Sequence, residues 1–233
     1  MIRWEVEGYV VAFTTRVGGV SEGPYASLNL GRKSGDDPER ADANRRIACE
    51  AIGADLEKLA LNFQVHSARV LPAVPGMRGE PADGLWTAEP GLPILAMSAD
   101  CLPVVLTRVE ARDRAVAVLH VGWRGLLAGI VDAGARAIGR SGVTAAIGPG
   151  IGPCCYEVGE EVAAPFRERF GDDVVRERRL DLWTSAERAL HAAGVERVER
   201  FDRCTACEPD TFFSHRRDAG RTGRQGVIAY VAR

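Results

Sequence analysis

Three apolar runs crowd the middle of the chain, at residues 93–99, 102–107 and 115–121, and each is short and rich in leucine, isoleucine and valine. Runs of this length and composition read as strands, and their near-continuous apolarity means that both faces must be covered by other layers. Directly after the third run, Gly122-Trp123-Arg124-Gly125 reads as a turn, and Leu126, Leu127, Ile130, Val131, Ala137 and Ile138 then recur at helical spacing. A buried strand, a turn and an amphipathic helix in succession restrict the chain to a mixed α/β architecture, without fixing the order of its strands.

The flanking segments extend that pattern. Residues 10–15 have β-forming content, and the Gly/Ser/Pro/Asn-rich RVGGVSEGPYASLNLG that follows is a long loop of the kind that carries function. A helix is predicted over 38–52, with Asp36 or Asp37 as cap, Pro38 in its first turn and Ile47, Ala48 and Ala51 on one side. A short strand at 61–65 should end at His66. Another is expected at 144–147, followed by the turn-rich GPGIGPCCYEVG, a helix from near Gly159, a helix over 180–193 stopped by Gly194, and strands at 198–201 and 227–231. No repeat interrupts the 233 residues, so residues 1–233 read as a single domain.

Composition excludes several classes of partner. The formal net charge of -2 sets up no field that would favour nucleic acid or an anionic membrane. Of 30 basic residues only Lys33 and Lys58 are lysines, so arginine abundance alone does not mark a phosphate site. The segment MIRWEVEGYVVAFTT lacks the pattern of a secretion signal and no run is long enough to span a membrane, which makes a cytoplasmic protein the expectation. Six cysteines in that setting read as thiols. The adjacent Cys154 and Cys155 are awkward partners for each other, and Cys204-x2-Cys207 has the form of half a zinc site or a redox pair but, with no second pair to complete it, reads as two ordinary thiols.

The chemistry must come from few imidazoles. There are four histidines, His66, His120, His191 and His215, and two of them close predicted strands. Cys101, preceded by Asp100, stands at the junction between two more, and polar side chains at strand ends are the usual way an α/β protein presents a site. A His/Cys/His set suits zinc, and three protein ligands leave a fourth tetrahedral position open, as catalytic zinc requires. The positions 66, 101 and 120 match no short zinc-finger spacing. Without a metal, Cys101 and His120 would instead make the nucleophile and base of a cysteine hydrolase.

Six ordered stretches resemble one bacterial family: FTTRVGGVSEGPYASLNLG, NFQVHSARV, SADCLPVVL, HVGWRGLLAGI, IGPGIGPCCYEVGEEV and the C-terminal CT with FFSHRRD and TGR. The family is described variously as multicopper polyphenol oxidase or laccase-like, as peptidoglycan editing factor, and as purine nucleoside phosphorylase with adenosine deaminase activity. The resemblance implies an α/β (α+β) fold, a layered sandwich of mixed β-sheets flanked by helices, and a zinc site formed by His66, Cys101 and His120. It also implies phosphorolysis of adenosine, inosine and 5'-methylthioadenosine to base and pentose 1-phosphate, with hydrolytic deamination of adenosine to inosine.

A metal cation makes water nucleophilic near neutral pH, which suits deamination, with Asp100 either carrying a proton or orienting a ligand and capping its turn. Phosphorolysis needs phosphate beside the sugar. Arg124, at a helix start facing the metal edge, is the first candidate contact, followed by Arg45 and by Arg216 with Arg217. The expected partners are therefore small molecules, purine nucleosides and phosphate. Four histidines cannot furnish both a blue-copper centre and an oxygen-reducing cluster, although copper in the His66/Cys101/His120 set in vitro would allow weak phenol oxidation. A protein that edits peptidoglycan precursors is the non-nucleoside alternative.

Overall fold

The structure is a computed structural model that describes residues 1–109 and 113–233. In chain order its strands are β1 (Ile2–Arg3), β2 (Tyr9–Phe13), β3 (Ala60–Leu61), β4 (Val70–Pro72), β5 (Gly84–Thr87), β6 (Ile94–Ser98), β7 (Leu102–Arg108), β8 (Ala115–Val121), β9 (Val143–Ile147), β10 (Val175–Arg176), β11 (Arg179–Leu180), β12 (Arg197–Arg200) and β13 (Gln225–Val231). The helices are α1 (Pro38–Glu50), α2 (Trp123–Ala128), α3 (Ile130–Ile138), α4 (Glu160–Phe170) and α5 (Leu182–Ala192).

Two mixed sheets carry the fold, one ordered β1-β2-β13-β6-β3 and the other β12-β9-β7-β8-β5-β4, and β10 and β11 form a separate pair. The alternation of side chains along each strand sorts the core into three layers. Ala115, Ala117, Leu119 and Val121 of β8 pack with Ile130, Ala135, Phe166 and Leu190 of α3, α4 and α5. Val116 and Val118, one step out of phase, meet Phe13, Ala96 and Val227 of the five-stranded sheet. On that sheet's outer side, Ala12, Leu95 and Ile228 receive Ala48 and Cys49 of α1. The order of layers is helix, sheet, sheet, helices, which is the mixed layered α+β sandwich expected.

Local chemistry accounts for most element boundaries. Asp37 caps α1 by accepting from the Glu39 amide at 2.9 Å, with Pro38 at the first position, and Asp181 caps α5 by accepting from the Thr184 amide at 2.9 Å. The structure corrects three expectations. The predicted 61–65 strand is the two-residue β3, because beyond Leu61 the chain turns out to form the loop that carries His66. Trp123 and Arg124 belong to the first turn of α2 and not to a preceding turn. The helix expected to run on through Ile138 is cut at Gly129, whose φ of +90° suits glycine and ends α2 after six residues. Strands β4 and β5 had no sequence-based expectation. Among the described residues no helix is long and apolar enough to cross a membrane.

Candidate metal centre

His120 lies two residues beyond Val118 on the face of β8 that looks toward the other sheet, at the strand end where that core gives way to a cleft. It is 5% exposed. Its Nδ1 donates to Asp83 Oδ1 at 2.9 Å, which leaves Nε2 for the cleft. Asp83, fully buried just before β5, also accepts from the amides of Val65 (3.1 Å), His66 (2.9 Å) and Ser67 (2.6 Å) and from Ser67 Oγ (2.8 Å). One carboxylate therefore fixes the ring of one histidine and the backbone of the other. Burial opposes its charge, but the bonds from His120 and Ser67 prevail and hold its pKa at about 2.

The Asp83 clamp holds His66 at a φ of +60°, in the left-handed region that a residue with a Cβ seldom occupies. Its ring stands edge-on to that of His120, with centroids 4.8 Å apart, and its Nε2 is 3.9 Å from Cys101 Sγ. Cys101 directly precedes β7, and in the β7–β8 register Leu102 pairs with Val121, which puts the thiol beside Gly122. The donor atoms of His66, Cys101 and His120 all lie within 4.8 Å of one another.

This trio fits a cation. A tetrahedral ion with bonds of ~2.1 Å to nitrogen and ~2.3 Å to sulfur separates such ligands by roughly 3.6 Å, so the donors need only a small inward adjustment. Gly122 keeps the space between them clear, since a Cβ there would stand 2.9 Å from Cys101 Sγ and 3.0 Å from His66 Cδ2. Burial disfavours a Cys101 thiolate, yet the imidazoles of His120 and His66 outweigh burial and bring its pKa to about 6. Burial also disfavours a charged His120, which the Cys101 sulfur and Asp83 raise to about 9.

The trio opens into a cleft of about 1120 Å³ between the 31–34 loop, α1, the 61–66 segment and the 215–216 turn. Its basic lining includes Arg45, Arg46, Arg78, Arg124, Arg216 and Arg224. Arg124 stacks on Trp123 with 4.4 Å to the ring centroid, and it forms no hydrogen bond or ion pair among the described residues. Arg45 is 7% exposed, donates from Nε to Leu30 O at 2.9 Å and is brought down by burial to about 10. Arg216 donates from Nη1 to Glu157 O at 2.8 Å. Arg217 turns away from the cleft: it pairs with Asp218 and donates to the carbonyls of Thr205 and Phe212. With α2 only six residues long, the positive end of its dipole is weak, so positive charge in the cleft comes from the arginine side chains, Arg124 among them.

Asp100, at a φ of +91°, has both carboxylate oxygens engaged, Oδ1 by Thr205 Oγ1 and Oδ2 by the Arg216 amide, each at 2.7 Å. Two further features had escaped the sequence. Asp83 belongs to no motif and is found only through its five donors. Ser98, 3% exposed at the end of β6, borders the cleft, and its buried hydroxyl has no partner among the described residues. Of the other histidines, His215 lines the cleft, and His191 Nδ1 lies 3.0 Å from Val195 O in a turn after α5. Cys204 and Cys207 are free thiols, as read, but the premise that no second pair accompanies them is corrected, because the fold brings Cys154 and Cys155 beside them.

Fold and site together define a class: a layered α+β sandwich that gathers two imidazoles and a thiol at the floor of a cationic cleft. The chain belongs to the family described as multi-copper polyphenol oxidoreductase laccase, which it matches over residues 10–232. It is 40% identical to the purine nucleoside phosphorylase of Deinococcus radiodurans over 95% of this chain and 89% of that protein. It is 37% identical to purine nucleoside phosphorylase YfiH of Escherichia coli K12, over 97% of this chain and 95% of the relative. Among solved structures, a Neisseria meningitidis protein superposes with a TM-score of 0.90 at 32% identity, covering 100% of this chain and 99% of the other. YlmD from Geobacillus stearothermophilus does so with a TM-score of 0.89 at 35% identity, covering 97% and 93%.

Proposed function

We propose that this protein is a zinc-dependent purine nucleoside phosphorylase, acting on adenosine, inosine and 5'-methylthioadenosine, and that it also deaminates adenosine to inosine. The observation that carries the proposal is the His66/Cys101/His120 trio, kept clear by Gly122 and set in an arginine-lined cleft. Relatives of matching length bear the name purine nucleoside phosphorylase. Three ligands of mixed nitrogen and sulfur character suit zinc with an open position, and copper can compete for the same donors in vitro.

The proposed residue roles follow from the contacts. Phosphorolysis breaks the bond between the purine nitrogen and C1' of the sugar and makes a bond from C1' to a phosphate oxygen, so a phosphate must sit beside the sugar. Arg124 holds it, with Arg216 and Arg45 at the cleft wall adding positive charge. A divalent cation held by His66, Cys101 and His120 would supply Lewis acidity at neutral pH, the chemistry that deamination at the amino-bearing purine carbon calls for. Asp83 holds both histidines toward that centre. Asp100 positions the 205 and 216 segments against Cys101, since its oxygens are engaged by Thr205 and Arg216. Arg124→Ala should raise the phosphate KM by at least tenfold in an inosine phosphorolysis assay while leaving metal content intact; an unchanged phosphate KM removes Arg124 from the role.

One observation favours a second reading. Asp83, His120 and Cys101 stand in the order of a hydrolase triad, with the thiol drawn toward its thiolate. Alkylation separates the two chemistries. A metal-bound Cys101 resists iodoacetamide until a chelator is added, whereas a free nucleophile reacts fastest in the untreated protein. His66 favours the metal, because a third donor held in a strained conformation has no task in a dyad.

A further inference from the structure

Four cysteines gather at a second place in the molecule, away from the His66/Cys101/His120 trio. Cys154 and Cys155 follow the Gly/Pro-rich turn after β9, and Cys204 and Cys207 follow β12, the neighbour of β9 in the sheet. Parallel pairing of β9 with β12 brings the two strand ends out side by side, and a bridge between Gly150 and Cys204 prolongs the pairing. The four Sγ atoms all lie within 4.8 Å of one another. Cys207 Sγ is 3.5 Å from Cys154 Sγ and 3.4 Å from Cys155 Sγ.

We propose that Cys154, Cys155, Cys204 and Cys207 form a tetrathiolate zinc site that clasps the 151–156 segment, part of the cleft wall, to the 204–207 turn behind it. Four thiolates around one ion make the closed set of a structural zinc centre. Bonds of ~2.3 Å to a tetrahedral ion separate the sulfurs by roughly 3.8 Å, close to the spacing here and far from the ~2.05 Å of a disulfide. The Gly152 amide donates to Cys204 Sγ at 3.3 Å, and Cys204-x2-Cys207 forms a tight turn in which the Cys207 amide bonds Cys204 O at 3.1 Å. The Gly152 amide offsets negative charge that gathers on Cys204 Sγ in a metal thiolate turn. Cys154 and Cys207 are exposed, which gives the ion a way in.

The clasp connects to the first centre. Thr205, between two of the ligands, bonds Asp100 next to Cys101, and Arg217 donates to Thr205 O. Tyr156, directly after Cys155, lines the cleft. An ion on the four sulfurs would therefore hold the cleft wall in register without touching substrate.

The test uses the full chain, purified without chelator, and element analysis for zinc. Wild type should carry about two zinc ions per chain, and His120→Ala and Cys154→Ser/Cys207→Ser should each retain about one. Because the cysteine variant may not fold, cobalt(II) is also added to His120→Ala after its zinc has been removed. The visible ligand-field bands and near-ultraviolet sulfur charge transfer of a tetrahedral tetrathiolate should appear, and exposed Cys154 and Cys207 should become protected from iodoacetamide. A His120→Ala protein that holds no metal, shows no such cobalt spectrum and has its four cysteines as reactive thiols or as disulfides overturns the proposal. The test does not depend on nucleoside turnover, so it can fail while the proposed activity stands, and the reverse also holds.

Discussion

At the residue scale, the centre depends on how one buried carboxylate distributes its bonds. Asp83 accepts from three consecutive amides as well as from His120, so it shapes the loop that carries one ligand while it aims another. The metal-free trio holds a proton on His120, with a pKa of about 9, and a thiolate at Cys101, with a pKa of about 6. A cation needs His120 neutral and Cys101 deprotonated, so binding displaces about one proton between pH 6 and 9 and about two below pH 6. The dissociation constant for zinc, measured by competition with a chromophoric chelator, should therefore weaken about tenfold per pH unit as pH falls from 9 to 6, and more steeply below 6. In Asp83→Asn the support for His120 is lost, and affinity should fall about 10–100-fold. An affinity independent of pH across this range would refute the assigned protonation states. Cys101 and His120 adjoin apolar strands and could be picked out from the sequence, whereas His66 sits on a loop beyond the short β3 and was tied to them only through the NFQVHSARV stretch of the family resemblance. Asp83 could not, since its meaning comes from donors on the 65–67 loop and on β8, which only tertiary structure brings together.

At the scale of elements, the β7–β8 pair sets the site. Its register puts Cys101 beside Gly122, and the alternation of β8 turns His120 to the side of Val116 and Val118. Gly122, directly after β8, leaves no room for a side chain, because a methyl group there points into the space between sulfur and imidazole. Gly122→Ala should fold with a thermal midpoint close to wild type and yet bind zinc at least tenfold more weakly by the same competition assay; unchanged affinity would mean that the cation does not sit between these side chains. The three central strands and helices α1, α4 and α5 were legible because their apolar patterns and caps are local. Strand β5 was not, since Gly84-Leu85-Trp86-Thr87 is too short to show a period and becomes a strand by pairing with β8. The same limit hid the cysteine cluster, which exists only because β9 and β12 are parallel neighbours.

At the scale of the whole molecule, the two sheets share a core to which strands from both ends of the chain contribute, with Val11 and Phe13 of β2 and Val227 and Ala229 of β13 facing Val105, Val116 and Val118. Neither sheet can keep its inner face covered without the other, so residues 1–233 are predicted to unfold as one unit. Calorimetry of metal-saturated protein should show a single transition whose calorimetric and van't Hoff enthalpies agree; two resolved transitions would divide the chain. The cleft lies at the end of β8, where His120 sits, and its lining draws on α1, β6, α2 and the 215–216 turn, segments far apart in sequence. The most direct measurement of the central claim is to incubate zinc-loaded protein with adenosine, with and without phosphate, and to separate adenine, inosine and hypoxanthine by chromatography, with His120→Ala as control. The account predicts adenine only when phosphate is present, inosine with or without it, and neither product from the variant. No product under any condition, or turnover that survives in His120→Ala, would contradict it.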